Sequence, residues 1–186
     1  MEHDIAQILV GEDKIRARIH ELGTTISAHY QERGIDEISI ICVTNGAVLF
    51  AADLMRRIDL YAKLDCVRVS SYRNEASPVG ELEIIDHIRL PVPGQHLLLI
   101  DDILDTGQTL STVSRILREQ EPASLLTCVL LSKRGRRRLS IDADYVGFEV
   151  PDHFVVGYGL DFAERYRNLP YIGVLRPELQ NPPEWQ

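Results

Sequence analysis

The chain has 186 residues, 45% hydrophobic and 26% charged, which suits one folded domain with a sizeable core and excludes a disordered chain. Lys and Arg number 20 against 28 Asp and Glu, a net charge of −8 with a pI near 5.2. That balance argues against general nucleic-acid binding, which needs cations to neutralise phosphates. Any anionic ligand must find a local positive site against a repelling mean field.

The start, Met1-Glu2-His3-Asp4, carries acids where a secretory signal carries Lys or Arg, and no apolar run approaches bilayer length. A cytoplasmic location with no membrane partner is expected. Cys42, Cys66 and Cys128 are odd in number, widely spaced and each set in an apolar, strand-like segment. They are expected to be buried free thiols.

In chain order, Ile15, Ile19, Leu22, Ile26 and Tyr30 recur at steps of three and four, which predicts an amphipathic helix over 12–33 that Gly34 ends. The β-branched run 38–43 predicts a strand buried on both faces. Asn45-Gly46 follows. This pair is also a hairpin signal, but the Ala- and Leu-rich run 47–58, closing with Arg56 and Arg57, favours a helix. Residues 66–71 read as a strand, 73–80 as a mobile loop holding Ser77-Pro78 and Gly80, and 81–85 as a returning strand. A Pro-Gly turn at 91–94 precedes a buried strand at 97–100. A helix over 109–118, with Leu110, Val113 and Leu117 inward, leads to strands at 125–131, 144–148 and 171–175. Apolar strands separated by helices predict an α/β fold with an open, mostly parallel twisted sheet flanked by helices. The tail 177–186, with Pro182-Pro183, is expected to be loosely held.

The informative segment runs from Leu97 to Leu110. A buried strand ends in Asp101-Asp102, and three residues on, the turn Asp105-Thr106-Gly107-Gln108-Thr109 opens directly into a helix. In open α/β sheets the carboxyl ends of strands hold the ligand crevice. A helix N-terminus offers amide N–H groups and a favourable dipole to an anion, so this turn can cradle a phosphate without a lysine. There is no GxxxxGK[ST] P-loop, and Gly157-Tyr158-Gly159 leads to no helix start. Taken alone, Asp101, Asp102 and Asp105 read as helix caps and solvated strand ends.

The match is longer than three acids. Residues 100–110 resemble the phosphoribosyl pyrophosphate (PRPP) motif of type I phosphoribosyltransferases: apolar strand, two acids, two apolar residues, then Asp-Thr-Gly-x-Thr. The resemblance implies that fold, with Asp101 and Asp102 on the ribose hydroxyls and a magnesium ion. It implies the 5-phosphate in the turn formed by Asp105, Thr106, Gly107, Gln108 and Thr109. Many purine enzymes of the family have Glu first; here Asp101 is a shorter arm of equal charge.

Nearly the whole chain resembles the hypoxanthine-guanine branch of that family. Val43-Thr44-Asn45-Gly46-Ala47 sits at the branch's pyrophosphate loop, with Asn45 where Lys is usual. The resemblance implies pyrophosphate contacts from Asn45, Gly46 and Arg167, and a cis peptide at Thr44–Asn45. Lys133 matches the lysine that faces the exocyclic oxygen of a 6-oxopurine, where an ammonium would reject the amino group of adenine. The arginines 134 and 136–138 beside it read as a solvated basic loop. The segment 148–161 resembles the purine-binding hood. Phe154 would stack on the base, the Val155 backbone would hold its edge, Asp161 would bind a second magnesium, and Tyr158 would serve packing.

Ser70, Ser71 and Tyr72 would belong to a loop closing over the site. The hood would combine the N-terminal segment with residues from about 133 to 186 in a single domain. The implied activity is Mg2+-dependent transfer of phosphoribosyl from PRPP to hypoxanthine or guanine, with Asp105 as the base, no nucleic-acid partner, and a homodimer or homotetramer as the assembly. Two rivals stand beside this: a PRPP-sensing regulator without chemistry, and an enzyme with another acceptor such as xanthine or a pyrimidine.

Overall fold

A computed structural model describes residues 1–72, 81–86, 88–133, 135, 139 and 141–181. The main sheet is built from β2 (Glu37–Thr44), β3 (Tyr61–Tyr72), β4 (Glu81–Asp86), β5 (His96–Leu104), β6 (Ser124–Ser132) and β7 (Tyr145–Glu149), in the order β4-β3-β2-β5-β6-β7. Every neighbouring pair is parallel except β3 and β4. Helices α1 (Glu12–Gln31) and α2 (Val48–Met55) cover one face, and α3 (Gln108–Arg118) covers the other.

Burial explains the continuous apolar strands. Leu98 and Ile100 pack with Ile15, Ile26 and Phe50 on the first face. Leu97 and Leu99 pack with Leu110, Val113 and Leu117 on the second. All four residues of 97–100 are fully buried, each contributing roughly 1.5–3 kcal/mol by its removal from water. Alternation is missing because neither face of β5 meets solvent.

The expected helices and the mostly parallel sheet are present, with informative differences. β5 does not stop at Ile100 but runs through both acids to Leu104, because Asp101, Ile103 and Leu104 continue the parallel register with Val129, Leu131 and Ser132 of β6. Asn45-Gly46 makes no hairpin; it leads into α2. Cys42 and Cys128 are buried free thiols, but Cys66 is exposed. Its strand adjoins the edge strand β4, and Leu64 on the same side of β3 is 46% exposed, so helix cover has run out there.

A second, antiparallel sheet joins β1 (Ile5–Val10), β9 (Ile172–Leu175) and β8 (Val155–Val156), in the order β1-β9-β8. Arg176 N donates to Asp4 O, and the Tyr166 hydroxyl donates to Asp4 Oδ2 at 3.1 Å. The tail expected to be loose starts with a 3-10 turn, Pro177–Leu179, and Gln180 Nε2 donates to Leu175 O. Residues 182–186 lie outside the described part, as do the expected loop 73–80 and Arg134 and arginines 136–138.

Candidate active site

Strand order reverses between β2 and β5, so the carboxyl ends of these two strands form a topological switch point. A cavity of about 300 Å³ lies there, bounded by Val43 and Thr44 at the end of β2 with Gly46 beyond it, and by residues 101–110, which run from the end of β5 into α3.

Asp101 is 5% exposed, and its Oδ1 accepts the Asp102 amide at 2.9 Å. Burial pushes the Asp101 carboxyl well above the ordinary carboxylate range, and the adjacent Asp102 charge adds to that. Asp102 is also raised by burial, against the lowering effects of its hydrogen bond with Asp101 and the charge of Arg167. Burial therefore disfavours the charged form of both carboxyls.

The turn at residues 105–109 is set by one backbone angle. Gly107, the N-cap of α3, has φ +84, and an added Cβ would lie 2.6 Å from Ile141 Cγ2; glycine satisfies both the left-handed angle and the space. Gly107 O accepts from Ser111 N at 3.0 Å, and Thr106 Oγ1 accepts from Gln108 N at 3.4 Å. Asp105, Thr106, Gly107, Gln108 and Thr109 all border the cavity, and Asp105 Oδ1 is buried.

Across the cavity, the Thr44–Asn45 peptide is cis. A Cβ on Gly46 would stand 1.6 Å from Asp102 Oδ2, so the backbone of this loop lies directly on the acid pair. Lys133 follows β6. Its N–H donates to Leu104 O at 3.0 Å, its side chain is 5% exposed, and Nζ lies 3.8 Å from Asp152 Oδ1 on a half-exposed aspartate. A buried ammonium with a partner this distant retains the capacity to donate to a ligand.

Phe154 is 38% exposed and meets Phe162 edge-on at 5.3 Å. Its neighbour Val155 is buried in β8. Asp161 Oδ1 pairs with Arg167 Nη1 at 3.0 Å, and its Oδ2 accepts from Glu164 N at 2.9 Å. Arg167 also donates to Gly159 O at 2.8 Å. The backbone of Ser70, Ser71 and Tyr72 ends β3, and their side chains lie outside the described part.

The structure thus brings Gly46, Asp101, Asp102 and residues 105–109 around one cavity. Asp161 is held by Arg167 and does not join the acid pair. Among the described residues, no three His, Cys, Asp or Glu side chains form a metal-holding group. Magnesium keeps several waters and binds through one or two carboxylates plus substrate oxygens, so the donor set of Asp101 and Asp102 fits it without a third protein ligand. Sequence reasoning missed Ile141 under Gly107, Asp152 beside Lys133, and the hydroxyl of Tyr158, which donates to Asp53 at 2.5 Å. No local pattern marks these contacts, because their partners are distant in the chain.

Fold and crevice together define a doubly wound α/β protein with a cavity at the switch point. Comparison with known proteins narrows this further. The phosphoribosyl transferase domain family matches residues 13–163. The chain is 46% identical to the hypoxanthine-guanine phosphoribosyltransferase of Bacillus subtilis over 177 residues, 95% of this chain and 97% of the relative. It is 45% identical over 179 residues, 96% of its own length, to the bifunctional protein TilS/HprT of Listeria innocua, of which it spans only 27%. The crystal structure of a hypoxanthine phosphoribosyltransferase from Staphylococcus aureus superposes with a TM-score of 0.89 at 39% identity, covering 96% of this chain and 95% of that one. The chain belongs to the phosphoribosyl transferase domain family.

Proposed function

We propose that this chain transfers the 5-phosphoribosyl group of PRPP to a 6-oxopurine, hypoxanthine or guanine, giving IMP or GMP and pyrophosphate in purine salvage. One observation carries the reading: an acid pair and a glycine-capped helix turn frame a single cavity of about 300 Å³ at the switch point. Near-full-length similarity to enzymes named for this reaction supports it.

In this reading the 5-phosphate lies on residues 105–109 and the ribose hydroxyls on Asp101 and Asp102. Asp101 and Asp102 would hold a magnesium ion, which would supply charge neutralisation at the leaving group. Lys133 donates to the purine O6, which favours an oxopurine over adenine because two donors would otherwise face each other. Phe154 covers the base, and the Val155 backbone takes its edge. A purine ring nitrogen bonds to C1′ as the bond from C1′ to pyrophosphate breaks, and Asp105 accepts the N7 proton. Asn45, Gly46 and Arg167 receive the pyrophosphate. The ion pair of Asp161 and Arg167 would part on donor binding, freeing Asp161 for a second magnesium. The segment beginning at Ser70, Ser71 and Tyr72 closes the site against water.

The free thiols of Cys42, Cys66 and Cys128 support a reducing, cytoplasmic setting. Val48 and Leu49, 42% and 41% exposed at the start of α2 beside the pyrophosphate loop, support a homodimer or homotetramer. The test is direct. Purified protein with PRPP and magnesium is offered hypoxanthine, guanine, xanthine and adenine separately. Nucleotide formation with the first two is expected. Turnover of adenine alone, or of none of the four, overturns the proposal.

A further inference from the structure

The turn at residues 157–160 carries a contact that the reaction scheme above does not use. Gly157, Tyr158 and Gly159 all have positive φ, at +101, +47 and +99. Tyr158 is the only one of the three with a Cβ, and it holds a conformation that few L residues adopt without support. That support comes from two directions. Its N–H donates to Leu169 O at 2.8 Å, and its buried hydroxyl donates to Asp53 Oδ2 at 2.5 Å, reaching α2. Asp53 is further held by Arg56.

The next residue touches the site itself. A Cβ on Gly159 would lie 2.1 Å from Gly46 O, so the backbones of the two glycines are in direct contact. Gly159 N donates to Arg167 O, and Gly159 O accepts from Arg167 Nη1. Asn45 and Gly46 precede α2, the helix that carries Asp53. One strut therefore joins α2, the cis loop and Arg167.

We infer that Tyr158 and Asp53 are positioning residues for pyrophosphate capture, clasping the Gly46 loop and Arg167 into one receptor for the leaving group. The inference rests on the proposed reaction, and it separates ligands by the part of the site they use. PRPP and free pyrophosphate need the clasped surface. A purine 5′-monophosphate occupies the ribose-phosphate and base regions without it.

The experiment is calorimetric titration of wild type, Tyr158→Phe, Asp53→Ala and Asp53→Asn with magnesium pyrophosphate and, separately, with IMP. Tyr158→Phe and Asp53→Ala should weaken pyrophosphate by roughly fivefold to tenfold, the equivalent of one lost hydrogen bond, and IMP by less than twofold. Asp53→Asn, which keeps an acceptor oxygen, should restore most of the pyrophosphate affinity. Equal weakening of both ligands, or none of either, overturns the clasp. If Tyr158→Phe fails to fold, the Asp53 pair decides the question by the same ratio. Wild-type protein that binds neither ligand would instead overturn the proposed function, a result distinct from failure of the clasp.

Discussion

Gly46 lies so close to Asp102 that any β-carbon there would sit 1.6 Å from the Asp102 carboxylate oxygen. The loop after β2 and the acid pair of β5 are thus one surface, and the glycine is required by space. Gly46→Ala is expected to push Asp102 off the ribose position and reduce kcat/KM for PRPP by roughly 100-fold or more. The main effect is on the donor, so steady-state kinetics at saturating purine, beside a melting curve, checks it. Normal kinetics in a folded variant would contradict the contact.

Asp101 predicts a trade between stability and binding. Its folded carboxyl titrates well above the unfolded value, because burial and Asp102 disfavour its charge. The protonated form is therefore the one the fold favours. Its contribution to stability is fully present below about pH 4 and is lost as pH rises towards the folded pKa. Asp101→Asn stays neutral throughout. The variant should melt higher than wild type at pH 8, by roughly 2–4 °C for each kcal/mol of relieved repulsion, with the gain shrinking towards zero near pH 4. It should also bind PRPP poorly. A melting temperature that falls with the substitution at pH 8 would refute the argument.

Lys133 predicts a split between the two substrates. Its ammonium is buried and its nearest carboxylate, on Asp152, is 3.8 Å away. Lys133→Ala should raise KM for hypoxanthine roughly 10- to 100-fold, as expected for losing a charged hydrogen bond in a dry site. KM for PRPP should move by less than about threefold. Equal losses for the two substrates would remove the oxygen-reading role.

Asp105 opens the turn 105–109 and borders the cavity with it. Asp105→Asn retains shape and hydrogen bonding but cannot take a proton. Turnover is expected to fall roughly 10²- to 10⁴-fold, with a modest change in PRPP affinity. Unchanged kcat would show that another group accepts the proton.

What could be read in the chain follows from what is local. The runs at 38–43, 97–100 and 125–131 announced buried strands because both of their faces are covered, and the Asp-Thr-Gly-x-Thr turn announced the helix start beside the cavity because one continuous segment makes it. β1 was not recognised: the short apolar run Ile5 to Val10 shows no strict alternation, its residues Ala6 to Ile8 are exposed, and its partner β9 comes from the far end of the chain. β8 is only two residues long. Asp53 and Tyr158 stand 105 positions apart, and each alone looks like an ordinary helix-surface acid and a packing aromatic. Cys66 misled because the apolar character of its strand serves the opposite face, where Val67 is buried.

The pairing of β1 with β9 has a consequence for synthesis on the ribosome. Residues 5–10 emerge before every other strand of the described fold, yet the strand they dock on follows only after 161 intervening residues. All six strands of the larger sheet leave the exit tunnel earlier, so the cavity at the switch point can assemble while β1 still waits. Phe154 and Val155, in the segment that pairs with β9, gain their final support only with that last strand. The smaller sheet is thereby completed after the larger one as the nascent polypeptide is made.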